Sequence, residues 1–85
     1  MRLKIMTPEK LFYSEAVEMV IVEGTVGKEG YMAGHSPVIK LLKEGNIRIR
    51  EAEYREEKTL AAGKGYMIMD GDLMIFISYA SWENV

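Results

Sequence analysis

Turn-forming residues are spaced so closely along this chain that they leave room for little except short strands. The stretch Val17 to Pro37, VEMVIVEGTVGKEGYMAGHSP, sets the pattern. Met19-Val20-Ile21-Val22 is an apolar run rich in β-branched side chains, which suit a pleated, half-buried surface better than a helix. Gly24, Gly27, Gly30 and Gly34 follow within eleven positions, half of the chain's eight glycines. At that density the backbone is free to take positive φ and to turn tightly. The expectation is a strand running into a compact loop that carries one very short strand, Tyr31-Met32, and ends at His35-Ser36-Pro37.

The remaining segments read the same way. Arg2 to Thr7 alternates, Leu3 and Ile5 to one side and Arg2 and Lys4 to the other, until Pro8 ends the strand. Lys10 to Ser14 is a second short strand with Leu11 and Tyr13 on one side and Phe12 on the other, and Ser14-Glu15-Ala16 is a turn into Val17–Glu23. Ser36 to Gly45 fits two patterns. Ser36 is a suitable cap, Pro37 a suitable first residue and Gly45 a suitable stop for a helix with a Val38, Ile39, Leu41, Leu42 stripe. That helix would be barely two turns long, and the segment is read as a strand. Asn46–Glu51 alternates with Ile47 and Ile49 inward. Tyr54–Ala61 is polar without a helical apolar stripe and reads as a solvent-facing strand beside it, its charges blunting an exposed edge. Asp70-Gly71-Asp72 is a hairpin signal between strands Tyr66–Met69 and Leu73–Ala80. Leu73-Met74-Ile75-Phe76-Ile77 is apolar on both faces, so it lies at the centre of a two-layered core or is half covered by something else. About eight to ten short strands with frequent turns describe an all-β fold, an antiparallel β-sandwich or flattened barrel, in a single domain over 1–85.

Few kinds of chemistry are open to such a chain. It has no cysteine, hence no disulfide framework and no thiolate metal site. Its net charge of −2 gives no basic excess for nucleic acid. No apolar run approaches the ~20 residues of a membrane span, and MRLKIM lacks the apolar core of a signal peptide. His35, the only histidine, adjoins Ser36, but neighbours on a strand point apart, so a catalytic role is disfavoured against fixing the loop or meeting a partner. Asp70-Gly71-Asp72 is followed by apolar residues where a calcium loop needs further oxygens. Gly63-Lys64-Gly65 and Gly27-Lys28 lack phosphate-loop spacing, and Glu56-Glu57 is a solvated face. The seven methionines, among them Met32, Met67, Met69 and Met74, are expected to fill core gaps, with a methionine-rich docking surface as the minor alternative. No cofactor or metal is implied, and a binding or structural module is favoured over an enzyme.

Four segments in register carry a resemblance: Leu3-Lys4-Ile5-Met6-Thr7-Pro8-Glu9, Met19-Val20-Ile21-Val22-Glu23-Gly24-Thr25, Gly34-His35-Ser36-Pro37 and Gly45-Asn46-Ile47-Arg48-Ile49. Together they resemble the N-terminal domain of the epsilon subunit of bacterial F-type ATP synthase, and the likeness runs more loosely to Ala80. The resemblance implies a non-catalytic β-sandwich in the rotor's central stalk, on the cytoplasmic side of the inner membrane and peripheral to it. Such a domain links the gamma subunit to the membrane c-ring and helps couple proton translocation to ATP synthesis. By the same resemblance, gamma contacts fall on Thr7, His35, Val38 and Ile39, and a loop of Val26, Gly27, Lys28, Glu29 and Tyr31 faces the c-ring.

Some positions depart from the family pattern. Lys28 stands where a carboxylate is usual and Glu29 where an apolar residue is usual, so the local sign of any electrostatic contact changes. Ala33 replaces a common proline. The sequence stops before the helical hairpin that the family usually adds, so no inhibitory or ATP-sensing role is carried over. An isolated copy with a vacant docking face has the means to pair weakly with a second copy. The alternative reading is a stand-alone β-sandwich recognition module for a protein or glycan.

Overall fold

A computed structural model describes residues 1–52 and 56–83. Its nine strands are β1 (Arg2–Met6), β2 (Leu11–Gly24), β3 (Gly27–Met32), β4 (Val38–Leu42), β5 (Gly45–Glu51), β6 (Glu57–Ala62), β7 (Gly65–Asp70), β8 (Asp72–Ile77) and β9 (Ala80–Trp82). The ladders run β1-β8-β7-β4-β2-β5-β6-β9, with β3 on β2 and a further β1–β2 pairing. Because β1 meets both β8 and β2, five strands close into a ring and the others extend from β2. The sandwich is closed by one strand long enough to serve both layers.

That strand is β2. Ser14-Glu15-Ala16 is not a turn: these residues pair with Lys4, Leu3 and Arg2 of β1, and β2 continues unbroken for 14 residues. The segment is polar but holds no glycine or proline, so nothing in its backbone forces a reversal. β2 instead passes from β1 to β5 between Ala16 and Val17, and its registers slip at two places. One lies between Val17 and Met19 on β5, so Val17 and Val20 both face the core although three positions apart. Another lies at Met6 and Leu11, and it leaves Leu11 exposed while Tyr13 is buried, rather than both on one side.

β3 is also longer than the expected Tyr31-Met32. Gly27 to Met32 pair with Gly24 to Met19, and only Thr25-Val26 form the tip. Gly27 holds φ of 128°, a backbone region that favours glycine. Gly30 lies within the ladder rather than in a turn. The Ser36–Gly45 segment is the strand β4, paired to β7 from Val38↔Met69 to Leu42↔Gly65. The strand expected at Tyr54–Ala61 is β6, Glu57–Ala62, on β5, and β9 covers its other edge. Tyr54 and Arg55 lie outside the described residues. Pairing is antiparallel except for β1 and β8, which run parallel. No hairpin joins these two strands, so no local turn dictates their relative direction.

The core takes the inward residues of every layer: Leu3, Ile5, Val20, Val22, Ile47, Ile49, Leu60, Met67, Leu73 and Ile75 are all buried, and among the described residues no polar or charged residue is. Each such aliphatic side chain contributes about 1.5–3 kcal/mol on burial. Met67 and Met69 fill the core as expected, whereas Met32 and Met74 stand outside it. The turn at Gly63 to Gly65 is pressed against Phe76 to Tyr79. The Gly63 N–H donates to the Tyr79 carbonyl at 2.9 Å and the Ser78 N–H to the Lys64 carbonyl at 3.0 Å. A β-carbon on Gly65 would lie 1.8 Å from the Phe76 carbonyl oxygen, so this approach requires glycine.

A candidate docking face

Alternation sends every second residue of β1, β8, β7 and β4 outward, and the registers align them in rows across the four strands. One row reads Met6, Phe76, Tyr66 and Leu41. The next reads Lys4, Met74, Ile68 and Ile39. Ile39 is 69% exposed and Leu41 67%; Tyr66 and Met74 are exposed too, and Met6, Phe76 and Ile68 half-buried. The Tyr66 and Phe76 rings stack at 5.0 Å with 18° between planes. Seven apolar side chains in adjacent rows, with a single charge among eight positions, form a patch that monomeric proteins seldom leave open. At one end, Met6, Thr7, Pro8, Lys64, Tyr66 and Phe76 line a shallow groove of about 390 Å³.

The outer face across the core is different. Met19, Arg50 and Glu57 lie in one row and Ile21, Arg48 and Thr59 in the next. Glu57 accepts from Arg48 at 2.8 Å and from Arg50 at 3.1 Å. These two guanidinium groups hold its carboxyl below the usual carboxylate range. This side is solvated and charged, so the two faces of the sandwich are unlike.

The residues singled out in the sequence do not all fall together. Ile39 is on the apolar face, whereas Val38, its neighbour, is half-buried and packs against the core from the inner side of β4. Thr7 borders the groove, and its N–H donates to the Lys10 carbonyl at 3.0 Å, which holds the bend after β1. His35 lies in the exposed connection from β3 to β4. Its ring rests 4.9 Å from that of Tyr31, and Nδ1 donates to the Ser36 carbonyl at 2.7 Å. That bond fixes the loop and engages no hydroxyl.

The β2–β3 hairpin gathers the other group. Val26 is 85% exposed at its tip, Gly27 shapes the turn, and Lys28 is exposed opposite Glu23. Glu29 turns back toward the body, 3.5 Å from Lys40 of β4, and accepts the Tyr31 hydroxyl at 3.1 Å. Tyr31 is 1% exposed, so it supports the hairpin from beneath. Burial, with help from the Glu29 carboxylate, pushes its phenol up to about 12.

Leu41, Tyr66, Ile68 and Met6 were not singled out in the sequence. The available signal is the apolar β8 segment Leu73–Ile77, whose outward residues Met74 and Phe76 are two of the seven apolar side chains that cross-strand registers bring together. Among the described residues, no group of three or more His, Asp or Glu side chains could hold a metal, and no helix is long and apolar enough to cross a membrane.

Fold and face together define a small β-sandwich domain with one apolar outer side and one charged outer side. The family described as the ATP synthase delta/epsilon chain, beta-sandwich domain, matches residues 1–80, and the chain belongs to it. The ATP synthase epsilon chain of Brevibacillus brevis is 35% identical over 78 residues, covering 92% of this chain and 58% of that one. That of Chlorobaculum tepidum is 33% identical over 76 residues, covering 89% and 85%. The chain thus spans less than two thirds of the Brevibacillus protein and most of the Chlorobaculum one. Its fold matches a chain of the Euglena gracilis mitochondrial ATP synthase, in an assembly of OSCP, F1 and c-ring, with a TM-score of 0.87 at 19% identity over 94% of this chain and 51% of that one. A chain in the central stalk and c-ring of the Tetrahymena thermophila mitochondrial enzyme matches with a TM-score of 0.78 at 14% identity, covering 94% and 64%.

Proposed function

We propose that this chain is a non-catalytic rotor component of an F-type ATP synthase, placed in the central stalk between the gamma subunit and the membrane c-ring. The apolar outer face of β1, β8, β7 and β4 carries this reading, because a domain that works within a larger complex keeps one dry side for its neighbour. Family membership gives that neighbour a candidate. Ile39 would touch gamma directly, with Thr7 at the groove and His35 at the adjoining connection. Val38 would act by fixing β4 from the inner side.

The β2–β3 hairpin is proposed to meet the c-ring through Val26, Gly27 and Lys28. Glu29 and Tyr31 brace it through Lys40 and the core. Lys28 would require an acidic or neutral contact on the ring. In this position the domain transmits torque, coupling proton translocation to ATP synthesis, and carries out no bond-making step itself. It would sit on the cytoplasmic side of a bacterial inner membrane, peripheral to it.

The test is restoration of coupling. The 85-residue chain is added to synthase depleted of epsilon subunit in vesicles, and ATP synthesis driven by a proton gradient is measured. Restored synthesis supports the reading. Failure to bind the depleted enzyme at micromolar concentration rejects it.

A further inference from the structure

Lys4 is the one charge in the two outward rows of the apolar face. Among the described residues it takes part in no ion pair within 4 Å. It stands beside Met74 in the parallel β1–β8 ladder, in the row that ends at Ile39. With Arg2, Asp72, Leu73 and Met74 it lines a cleft of about 140 Å³ at the margin of the face. Asp72 is already engaged, its Oδ1 accepting the Arg2 backbone N–H at 2.9 Å. The cleft's lining therefore has two cationic side chains against one carboxylate and opens beside an apolar strip, with Asp70 of β7 across from Asp72.

We infer that the surface docking on this face presents an apolar strip edged by a carboxylate, and that the carboxylate enters the cleft to meet Lys4, with Arg2 alongside. This rests on the proposed docking of gamma and states the chemistry its surface must have. A lysine covered by an apolar partner would lose its water without compensation, which is costly. An opposing carboxylate removes that cost and fixes the partner's register on a face otherwise composed of interchangeable apolar contacts. Tolerance at the rim, with Lys4 remaining in water, makes the opposite prediction. There, replacing lysine by methionine would only add apolar contact.

The experiment is calorimetric titration of the cognate gamma subunit with the wild-type chain and with Lys4→Met, Lys4→Glu, Arg48→Met and Ile39→Asp, each first checked for an unchanged thermal transition. The expected result is binding by wild type, about tenfold or greater weakening by Lys4→Met, more by Lys4→Glu, and little change for Arg48→Met on the opposite face. Lys4→Met binding as tightly as wild type or tighter, while Ile39→Asp abolishes binding, overturns the carboxylate and leaves the docking of gamma intact. No binding by wild type, or self-association of the chain through this face in place of gamma binding, overturns both.

Discussion

Tyr66 and Phe76 stack 5.0 Å apart across β7 and β8, on the side of the sheet turned away from the core. A stack of this kind contributes about 0.5–1.5 kcal/mol beyond the area it covers. Here much of its apolar area stays uncovered. The pair holds the rim of a groove open between Pro8 and Lys64, rather than closing the protein's interior.

Face residues should therefore separate stability from binding. Ile39→Asp removes an apolar side chain that is 69% exposed, so the unfolding free energy should change by about 0.5 kcal/mol or less. Affinity for gamma should fall at least tenfold, about 1.4 kcal/mol or more. Chemical denaturation and calorimetric titration of one preparation check both.

Core residues should behave in the opposite way. Ile75 is fully buried opposite Met67 on β7. Ile75→Ala should cost about 2–5 kcal/mol in urea unfolding, through lost burial and the cavity left behind.

The glycines should divide by environment. At Gly65 a β-carbon would meet the Phe76 carbonyl oxygen and the Ile77 α-carbon, which are backbone atoms with no easy retreat. Gly65→Ala should lower stability by about 3 kcal/mol or more, or prevent folding. Gly71, at φ of 74° with nothing near its missing side chain, should lose only about 1–2 kcal/mol as Gly71→Ala. Thermal melts of the two variants provide the comparison.

Alkaline pH should weaken the β3 hairpin. The Tyr31 phenol is pushed up from 10 to about 12, by burial first and then by its hydrogen bond to Glu29 and that carboxylate's charge. A folded-state value above the unfolded one means that the contribution is complete below pH 10 and disappears as pH rises toward 12. The loss should be about 1.4 kcal/mol per pH unit in that window. Tyr31→Phe should flatten this slope, as followed by unfolding against pH with phenolate absorbance as the titration signal. Tyr13, buried and bonded to Glu51, is raised for the same reasons and supplies a second, independent slope.

Alternation made most of the fold legible. Leu3 and Ile5, and Ile47 and Ile49, point inward as period-two spacing requires. The Asp70-Gly71-Asp72 turn is a hairpin for the reason its residues suggest. The polar Ser14-Glu15-Ala16 makes β2 look like two strands, but polarity there reflects partial exposure beside β1 rather than a turn. Gly27 and Gly30 resemble loop residues and make β3 look short, although of the two only Gly27 adopts positive φ. Only a small part of the apolar face is visible in any one stretch. Its rows depend on the parallel β1–β8 register and on the β4–β7 pairing, long-range choices that no single stretch of sequence encodes.

The most direct measurement compares gamma affinity after one substitution on each outer face, Ile39→Asp on β4 and Arg48→Ala on β5. Docking through the apolar side predicts a loss of tenfold or more for Ile39→Asp and near wild-type affinity for Arg48→Ala. Equal losses from both, or undiminished binding by Ile39→Asp, would contradict it.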